Sequence, residues 1–139
     1  MTPSEPEARP APLVLILEDD VEAGALFRSI LLAAGYRVVA AGDVQQAFTA
    51  LGHEVPGAIL VDLHLPGEDG LEFLKQLRAI PRLRGVPAAL MTGDYLMDDA
   101  IVQDLEALGV RLYFKPLWDD DLLAAVAALL SPGRAPASR

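Results

Sequence analysis

The sequence LVLILEDD, residues 13–20, decides the fold. Its first five residues are all apolar, which is typical of a strand that is buried on both faces of a parallel sheet. Its last three residues are acidic, and three acids are more than the cap of a following helix needs. We therefore expect a buried strand that ends at a functional site, with Asp20 as the cap of the next helix.

Four more short apolar runs follow along the chain, at residues 37–41, 58–61, 88–91 and 112–114. The segments between them have apolar residues at spacings of three and four, as amphipathic helices do. The stripes expected to face the core are Ala23, Phe27, Ile30 and Ala34; Val44 and Phe48; Phe73, Leu77 and Ile80; Ile101, Leu105 and Leu108; and Leu122, Val126 and Leu129.

Gly35 and Gly109 stand where two of these helices should end. Five strand–helix units predict an α/β fold with a parallel sheet and helices on both of its faces. Right-handed crossovers restrict the topology to a doubly wound sheet, for which we expect the flavodoxin-like strand order 2-1-3-4-5.

Length and composition exclude several classes of protein. The chain of 139 residues is long enough for one domain, and it has no cysteine for a disulfide, a thiolate metal site or a cysteine nucleophile. The net charge of -9 disfavours non-specific nucleic-acid binding and association with anionic membranes. No apolar stretch approaches the roughly 20 residues of a membrane span. We expect a cytoplasmic protein.

Proline-rich ends flank the predicted domain. We expect residues 1–12 and 131–139 to be flexible tails and residues 13–130 to form the domain. The short tails favour a stand-alone protein over a domain cut from a longer one.

Polar residues follow four of the predicted strands at their carboxyl ends. They are Glu18 and Asp19 after the first strand, Asp62 after the third, Thr92 after the fourth and Lys115 after the fifth. Open α/β sheets bind ligands beyond the carboxyl ends of their strands, at the topological switch point. We therefore expect the three acids to share one pocket, with the threonine and the lysine on its other side.

Three carboxylates in one pocket repel one another unless one takes up a proton or a cation neutralises them. Hard oxygen ligands with open positions suit Mg²⁺. An ammonium and a hydroxyl opposite such a metal can stabilise the equatorial oxygens of a phosphoryl group. A carboxylate can itself be the nucleophile, and the product is then an aspartyl phosphate.

Four motifs resemble those of a known family. LILEDD at 15–20, VDLHLPGEDG at 61–70, MTG at 91–93 and FKP at 114–116 are similar to the receiver domain of bacterial two-component response regulators, including chemotaxis regulators. The resemblance covers residues 13–130. Each motif alone is weak, but four in order, each after a predicted strand, are specific.

The resemblance implies a signalling function. Asp62 would accept a phosphoryl group from a histidine kinase or a histidine phosphotransfer protein, and the linkage would be hydrolysed slowly by water. The protein would then be a timed switch in a phosphorelay and not an enzyme of high turnover. The downstream target would be another protein.

The resemblance also implies the site residues. The Mg²⁺ ligands would be Glu18, Asp19, Asp62 and the backbone carbonyl of His64, while Thr92 and Lys115 would contact the phosphoryl group. The Lys115–Pro116 bond would be cis, as in the family. The His64 side chain has two open interpretations, a surface loop residue or a group that leans over the pocket and slows the attack of water.

The sequence departs from the family near the fifth strand. Many receivers have an aromatic residue three places before the lysine, where this chain has Leu112. In those receivers the aromatic residue swings inward when the threonine moves. Tyr113 faces the other side of the sheet by strand alternation. Tyr95, three residues after Thr92, is the alternative aromatic residue for this coupling.

The last helix, 119–130, has no lysine or arginine for the usual ion-paired dimer, so we expect a monomer or a weak dimer.

Three rival interpretations remain. A degenerate receiver would act as a scaffold without phosphorylation, which the complete set of site residues disfavours. A phosphohydrolase would need a second acid two residues after Asp62, where this chain has His64. A flavin-binding protein would need a phosphate-binding loop after the first strand, which this chain lacks.

Trp118 precedes the last helix, and its side chain could belong to the core or to a partner surface.

Overall fold

The computed structural model describes residues 11–65 and 67–131. Strands and helices alternate along this part of the chain. The strands are β1 (Leu13–Leu17), β2 (Arg37–Ala41), β3 (Ala58–Asp62), β4 (Ala88–Thr92) and β5 (Val110–Phe114). The helices are α1 (Val21–Ala33), α2 (Val44–Leu51), α3 (Gly70–Ala79), α4 (Asp99–Leu108) and α5 (Asp119–Leu130). The predicted tails lie almost wholly outside the described residues.

The five strands form one parallel sheet in the order β2-β1-β3-β4-β5. The predicted doubly wound sheet and its order 2-1-3-4-5 are therefore confirmed. Leu17 of β1 lies beside Val61 of β3 in the ladder, so the next residues, Glu18 and Asp62, emerge side by side at the carboxyl edge. This register is what brings two acids that are distant in sequence into one place.

Two hydrophobic layers cover the sheet, one on each face. Alternate residues of β1 divide between them, because side chains of a strand point to opposite faces. Leu15 and Leu17 pack in the layer that includes α2, α3 and α4. Val14 and Ile16 pack in the layer that includes α1 and α5. The central strands β1, β3 and β4 are thus apolar, except for Asp62 and Thr92 at the carboxyl ends of β3 and β4, because both of their faces are buried.

The predicted core stripe of α1 is partly wrong. The buried residues of this helix are Gly24, Phe27 and Leu31, whereas Ala34 is exposed and caps the carboxyl end. The helix has apolar residues on most of its circumference, so spacings of three and four fit more than one face. Gly24 faces the side chain of Glu18, and a glycine carries no apolar side chain that a stripe could reveal.

Several element boundaries also differ from the prediction. Strand β5 begins at Val110, two residues before the apolar run. A short antiparallel ribbon, His64–Leu65 with Glu68–Asp69, lies between β3 and α3 and was not predicted. Its two-residue strands are too short to leave a pattern. The helix ends at Gly35 and Gly109 are confirmed, since both glycines have positive φ angles.

In the part of the chain with described structure, no helix combines the length and the apolar character needed to cross a membrane.

Candidate functional site

An acidic pocket, formed by Glu18, Asp19 and Asp62, lies at the carboxyl ends of β1 and β3. One carboxylate oxygen of each residue lies within 4.8 Å of those of the other two. Glu18 and Asp62 are only 5% and 6% exposed. Buried carboxylates at this separation repel strongly unless a positive charge lies among them.

Lys115 supplies one positive charge to the acidic pocket. Its Nζ donates to Oε1 of Glu18 at 2.8 Å and to Oδ2 of Asp62 at 3.2 Å. The backbone N–H of Lys115 donates to the carbonyl of Thr92 at 2.7 Å, which continues the β4–β5 ladder by one residue. The Lys115–Pro116 peptide is cis, as predicted. The fifth strand thus delivers an ammonium to acids from the first and third strands.

Thr92 ends β4 and is completely buried. Its Oγ1 accepts a hydrogen bond from the backbone N–H of Asp94 at 3.0 Å, so the side chain is fixed by the loop that follows it. A buried hydroxyl held in this way is a preorganised hydrogen-bonding group at the same edge of the sheet as the acidic pocket.

His64 lies in the short ribbon, and its side chain is exposed. Its backbone N–H donates to Oδ1 of Asp62 at 3.2 Å and so helps to orient that carboxylate. The predicted role of its carbonyl as a metal ligand stays a prediction.

Asp20 has the structural role that its position predicted. Its Oδ1 accepts from the backbone N–H groups of Glu22 at 2.9 Å and Ala23 at 3.2 Å, which caps α1. The capping acid is therefore separate from the acids of the pocket, and Glu18 and Asp19 are left for other chemistry.

The electrostatics of the pocket are unbalanced. Burial raises the pKa of Glu18, and the nearby Asp62 adds to this rise, while the hydrogen bond from Lys115 opposes it. For Lys115, burial alone would lower the pKa, but hydrogen bonds and Coulombic attraction from Glu18 and Asp62 outweigh it and raise the pKa. The pocket therefore favours additional positive charge.

The donor set of the acidic pocket fits a hard divalent cation. Three carboxylates face a single ammonium, so a second positive charge would relieve the remaining repulsion. Carboxylate oxygens are the ligands that Mg²⁺ prefers, and it commonly binds through one or two of them while it keeps several waters. The residues that could hold such an ion are Glu18, Asp19 and Asp62.

Sequence reasoning missed Gly70, the first residue of α3. Its N–H donates to the carbonyl of Leu63 at 2.9 Å, and a Cβ at this position would overlap the backbone carbonyl of Asp62. A glycine here lets α3 begin directly against the Asp62 segment. The available signal was a glycine immediately after Asp69, the residue that caps this helix.

A family model described as the response regulator receiver domain matches residues 14–127. The chain belongs to this family. The receiver resemblance of the four motifs is therefore confirmed. Receiver domains are signalling phosphoacceptors of two-component systems, and they bind Mg²⁺ at an acidic pocket. Such a domain implies a histidine kinase as the source of the phosphoryl group.

Curated relatives of this receiver domain are bacterial. The sensory/regulatory protein RpfC of Xanthomonas campestris is 31% identical over 126 residues, which cover 88% of this chain and 17% of RpfC. The DNA-binding response regulator MtrA of Mycobacterium tuberculosis is 32% identical over 117 residues, which cover 84% of this chain and 50% of MtrA. The chain thus spans half or less of the length of these relatives.

Solved structures share the fold of the receiver domain. The chemotaxis protein CheY4 of Vibrio cholerae has a TM-score of 0.79 at 24% identity, over 86% of this chain and 99% of CheY4. The signal receiver domain of a histidine kinase from Syntrophus aciditrophicus has a TM-score of 0.76 at 28% identity, over 93% of this chain and 97% of that domain.

Proposed function

We propose that this receiver domain accepts a phosphoryl group from a phosphohistidine onto Asp62, with Mg²⁺, and thereby switches a protein-interaction face. The observation that carries the proposal is the Lys115 ammonium, which lies between Glu18 and Asp62 in a largely buried acidic pocket. A phosphoryl acceptor needs a carboxylate, a nearby ammonium and a means to hold a divalent cation, and this arrangement combines them.

The transfer step forms one bond and breaks one. A carboxylate oxygen of Asp62 attacks the phosphorus of the phosphohistidine, and the P–N bond breaks as its electron pair returns to the imidazole ring. The imidazole takes up a proton and the product is an aspartyl phosphate. Lys115 and Thr92 stabilise the charge on the equatorial oxygens of the phosphoryl group.

The metal ligands in this proposal are Glu18, Asp19, Asp62 and the backbone carbonyl of His64. A Mg²⁺ ion held by these ligands would supply positive charge to the phosphoryl oxygens and so reduce the repulsion between the donor and the acidic pocket. Glu18 and Asp62 also form ion pairs with the ammonium of Lys115. In this proposal the same two acids therefore bind both Lys115 and the metal ion.

Hydrolysis makes the signal transient. A water oxygen attacks the phosphorus, the P–O bond to Asp62 breaks, and inorganic phosphate leaves while the carboxylate is restored. His64 and Asp94 lie two residues after Asp62 and Thr92, and both side chains are exposed. In this proposal the two side chains modulate the approach of water. The domain therefore acts as a slow, self-resetting switch.

The switch is a shift between two populated states. Phosphorylation draws Thr92 and Lys115 inward, onto the phosphoryl group on Asp62. Thr92 is the last residue of β4, and Lys115 directly follows β5. The face formed by α4 and β5 then repacks. Its partners in the cytoplasm are a histidine kinase or phosphotransfer protein and a downstream protein.

Acidic charge disfavours nucleic acid as a partner of this domain. Residues 93–130 contain two basic residues, Arg111 and Lys115. The same stretch contains eight acids, namely Asp94, Asp98, Asp99, Asp104, Glu106, Asp119, Asp120 and Asp121. Phosphate backbones would be repelled by such a surface. The name of MtrA states DNA binding for that relative, and we do not propose it for this domain.

The test is intact-mass spectrometry after incubation with acetyl phosphate. The wild type should gain one phosphoryl group in the presence of Mg²⁺ and none with EDTA. Asp62→Asn should gain none, whereas Asp120→Asn, which changes an exposed acid, should behave as the wild type. No gain in the wild type would support the scaffold alternative, and steady turnover of phosphomonoesters would support the phosphohydrolase.

A further inference from the structure

The hydroxyl of Tyr95 connects the loop that follows Thr92 to the backbone of Lys115. Its Oη donates to the backbone carbonyl of Lys115 at 2.7 Å. Its ring stacks on Phe114, with the ring centroids 5.1 Å apart and the planes inclined by 26°. One side chain from the loop after β4 thus makes two contacts with the end of β5.

The backbone of Lys115 is held on both sides. Its N–H donates to the carbonyl of Thr92, and its carbonyl accepts from Tyr95. Its side chain then reaches Glu18 and Asp62. The position of the ammonium depends on where this backbone segment lies, so the Tyr95 hydrogen bond constrains a group that contacts the acidic pocket.

The loop that carries Tyr95 is itself tied to Thr92. The N–H of Asp94 donates to Oγ1 of Thr92, and the N–H of Leu96 donates to a side-chain oxygen of Asp94, both at 3.0 Å. Tyr95 lies between these two bonds. Hydrogen bonds therefore connect Thr92 to the loop that carries Tyr95, and Tyr95 to the backbone of Lys115.

The other tyrosines cannot make this connection. The chain has three, of which Tyr36 follows α1 and Tyr113 packs in the layer on the opposite face of the sheet. Leu112 faces the α4 side but has no hydroxyl. Tyr95 remains 65% exposed despite its two contacts, so apolar burial does not account for its position.

We propose that Tyr95 is a positioning residue for phosphoryl transfer, which acts by fixing the Lys115 backbone relative to Thr92. The proposal rests on the proposed function of Asp62 as the acceptor. Removal of the hydroxyl frees the Lys115 carbonyl while the carboxylates stay in place. The rate of phosphorylation should fall, and the affinity for Mg²⁺ should not.

The experiment compares Tyr95→Phe, which keeps the ring, with Tyr95→Leu, which removes both contacts. Tyr113→Phe is the matched control on the opposite face. The maximal rate of phosphorylation by acetyl phosphate should fall about threefold to tenfold in Tyr95→Phe, the range expected for one hydrogen bond, and further in Tyr95→Leu. The Mg²⁺ dissociation constant, measured by isothermal titration calorimetry, should change less than twofold.

Backbone NMR gives a second readout that does not need phosphorylation. The Lys115 amide should become more mobile in Tyr95→Phe than in Tyr113→Phe. Wild-type rates in both Tyr95 variants, or an unchanged Lys115 amide, would overturn the proposal. A parallel loss of stability and Mg²⁺ affinity would show a merely structural role and would also overturn it. Absence of phosphorylation in the wild type, with the amide effect present, would instead refute the function of Asp62.

Discussion

The Nζ of Lys115 lies 2.8 Å from Oε1 of Glu18, although 97 positions separate the two residues in sequence. This contact joins the last strand of the sheet to the first across the carboxyl edge of β3. Because Glu18 is buried, the ammonium compensates a carboxylate that water solvates poorly. The following predictions test what this pair does for stability and chemistry.

Replacement of Lys115 by methionine should destabilise the metal-free protein. Two buried carboxylates then lose their ammonium, and we expect the free energy of unfolding to fall by about 1–3 kcal/mol. Mg²⁺ should restore more stability to the variant than to the wild type. Urea denaturation with EDTA and with Mg²⁺ measures both effects.

The control for this variant is Lys75→Met. Lys75 pairs with Asp104 at 3.4 Å on the surface, with both side chains nearly half exposed, so its loss should cost less than about 1 kcal/mol. Equal stability of the two variants in EDTA would contradict the stabilising role of the Lys115 ammonium.

The pH dependence of the free energy of unfolding should show that burial raises the pKa of Glu18. Its pKa is raised on folding, so its contribution is fully present below the ordinary value of 4.5 and is lost as the pH rises through the raised pKa. The free energy of unfolding of the wild type should therefore fall relative to that of Glu18→Gln as the pH increases above about 4.5. Metal-free denaturation series at several pH values measure the difference.

Mg²⁺ should reverse this loss in the wild type and have less effect on Glu18→Gln. Glu106→Gln, which changes an exposed acid of α4, serves as the control and should show no such pH-dependent difference. If the difference in free energy of unfolding between the wild type and Glu18→Gln stayed constant across the pH range, burial would not raise the pKa of Glu18.

Gly70→Ala should be destabilising because the new methyl group would overlap the backbone of Asp62. We expect a loss of about 1–3 kcal/mol and a slower phosphorylation of Asp62. Gly85→Ala is the matched control, since a Cβ there meets open space and its φ angle is not positive. Thermal denaturation of the two variants decides the matter, and equal melting temperatures would refute the steric argument.

Much of this arrangement could be predicted from the sequence. Strands β1 and β2 have the predicted bounds because their apolar runs end at polar or glycine residues. The convergence of Glu18, Asp19 and Asp62 could be predicted from the strand order, since parallel strands share one carboxyl edge, and the register of β1 on β3 then sets Glu18 beside Asp62.

Other features depend on contacts that a sequence pattern does not encode. Leu31 of α1 is fully buried although it lies outside the predicted stripe, whereas the predicted Ile30 packs against the core only partly buried and Ala34 is exposed. The packing of an almost wholly apolar helix is decided by its neighbours. The hydrogen bond from Tyr95 to Lys115 depends on the path of two loops. The exposure of Trp118, at 70%, removes it from the core and leaves the partner surface as its remaining interpretation.

The isolated domain should be a monomer or at most a weak dimer, also when phosphorylated. Residues 93–130, which include α4, β5 and α5, contain eight acids against two bases. Among the described residues, only Asp104 of these acids pairs with a base of α3, Lys75, and Lys115 is already paired within the pocket, so the faces built from this stretch are acidic. Two such faces repel each other, so the ion-paired dimer should not form. Light scattering coupled to size exclusion measures the mass. A stable symmetric dimer through the face formed by α4, β5 and α5 at low salt would be the contrary result.

The most direct measurement of the central claim is to locate the acyl phosphate. The protein is phosphorylated with acetyl phosphate and Mg²⁺, reduced with borohydride, digested and sequenced by mass spectrometry. Borohydride converts an aspartyl phosphate into homoserine, so we predict homoserine at position 62 and at no other acid. Homoserine at Asp19 or Asp20, or aspartate retained at position 62 in protein that has gained a phosphoryl group, would contradict the account.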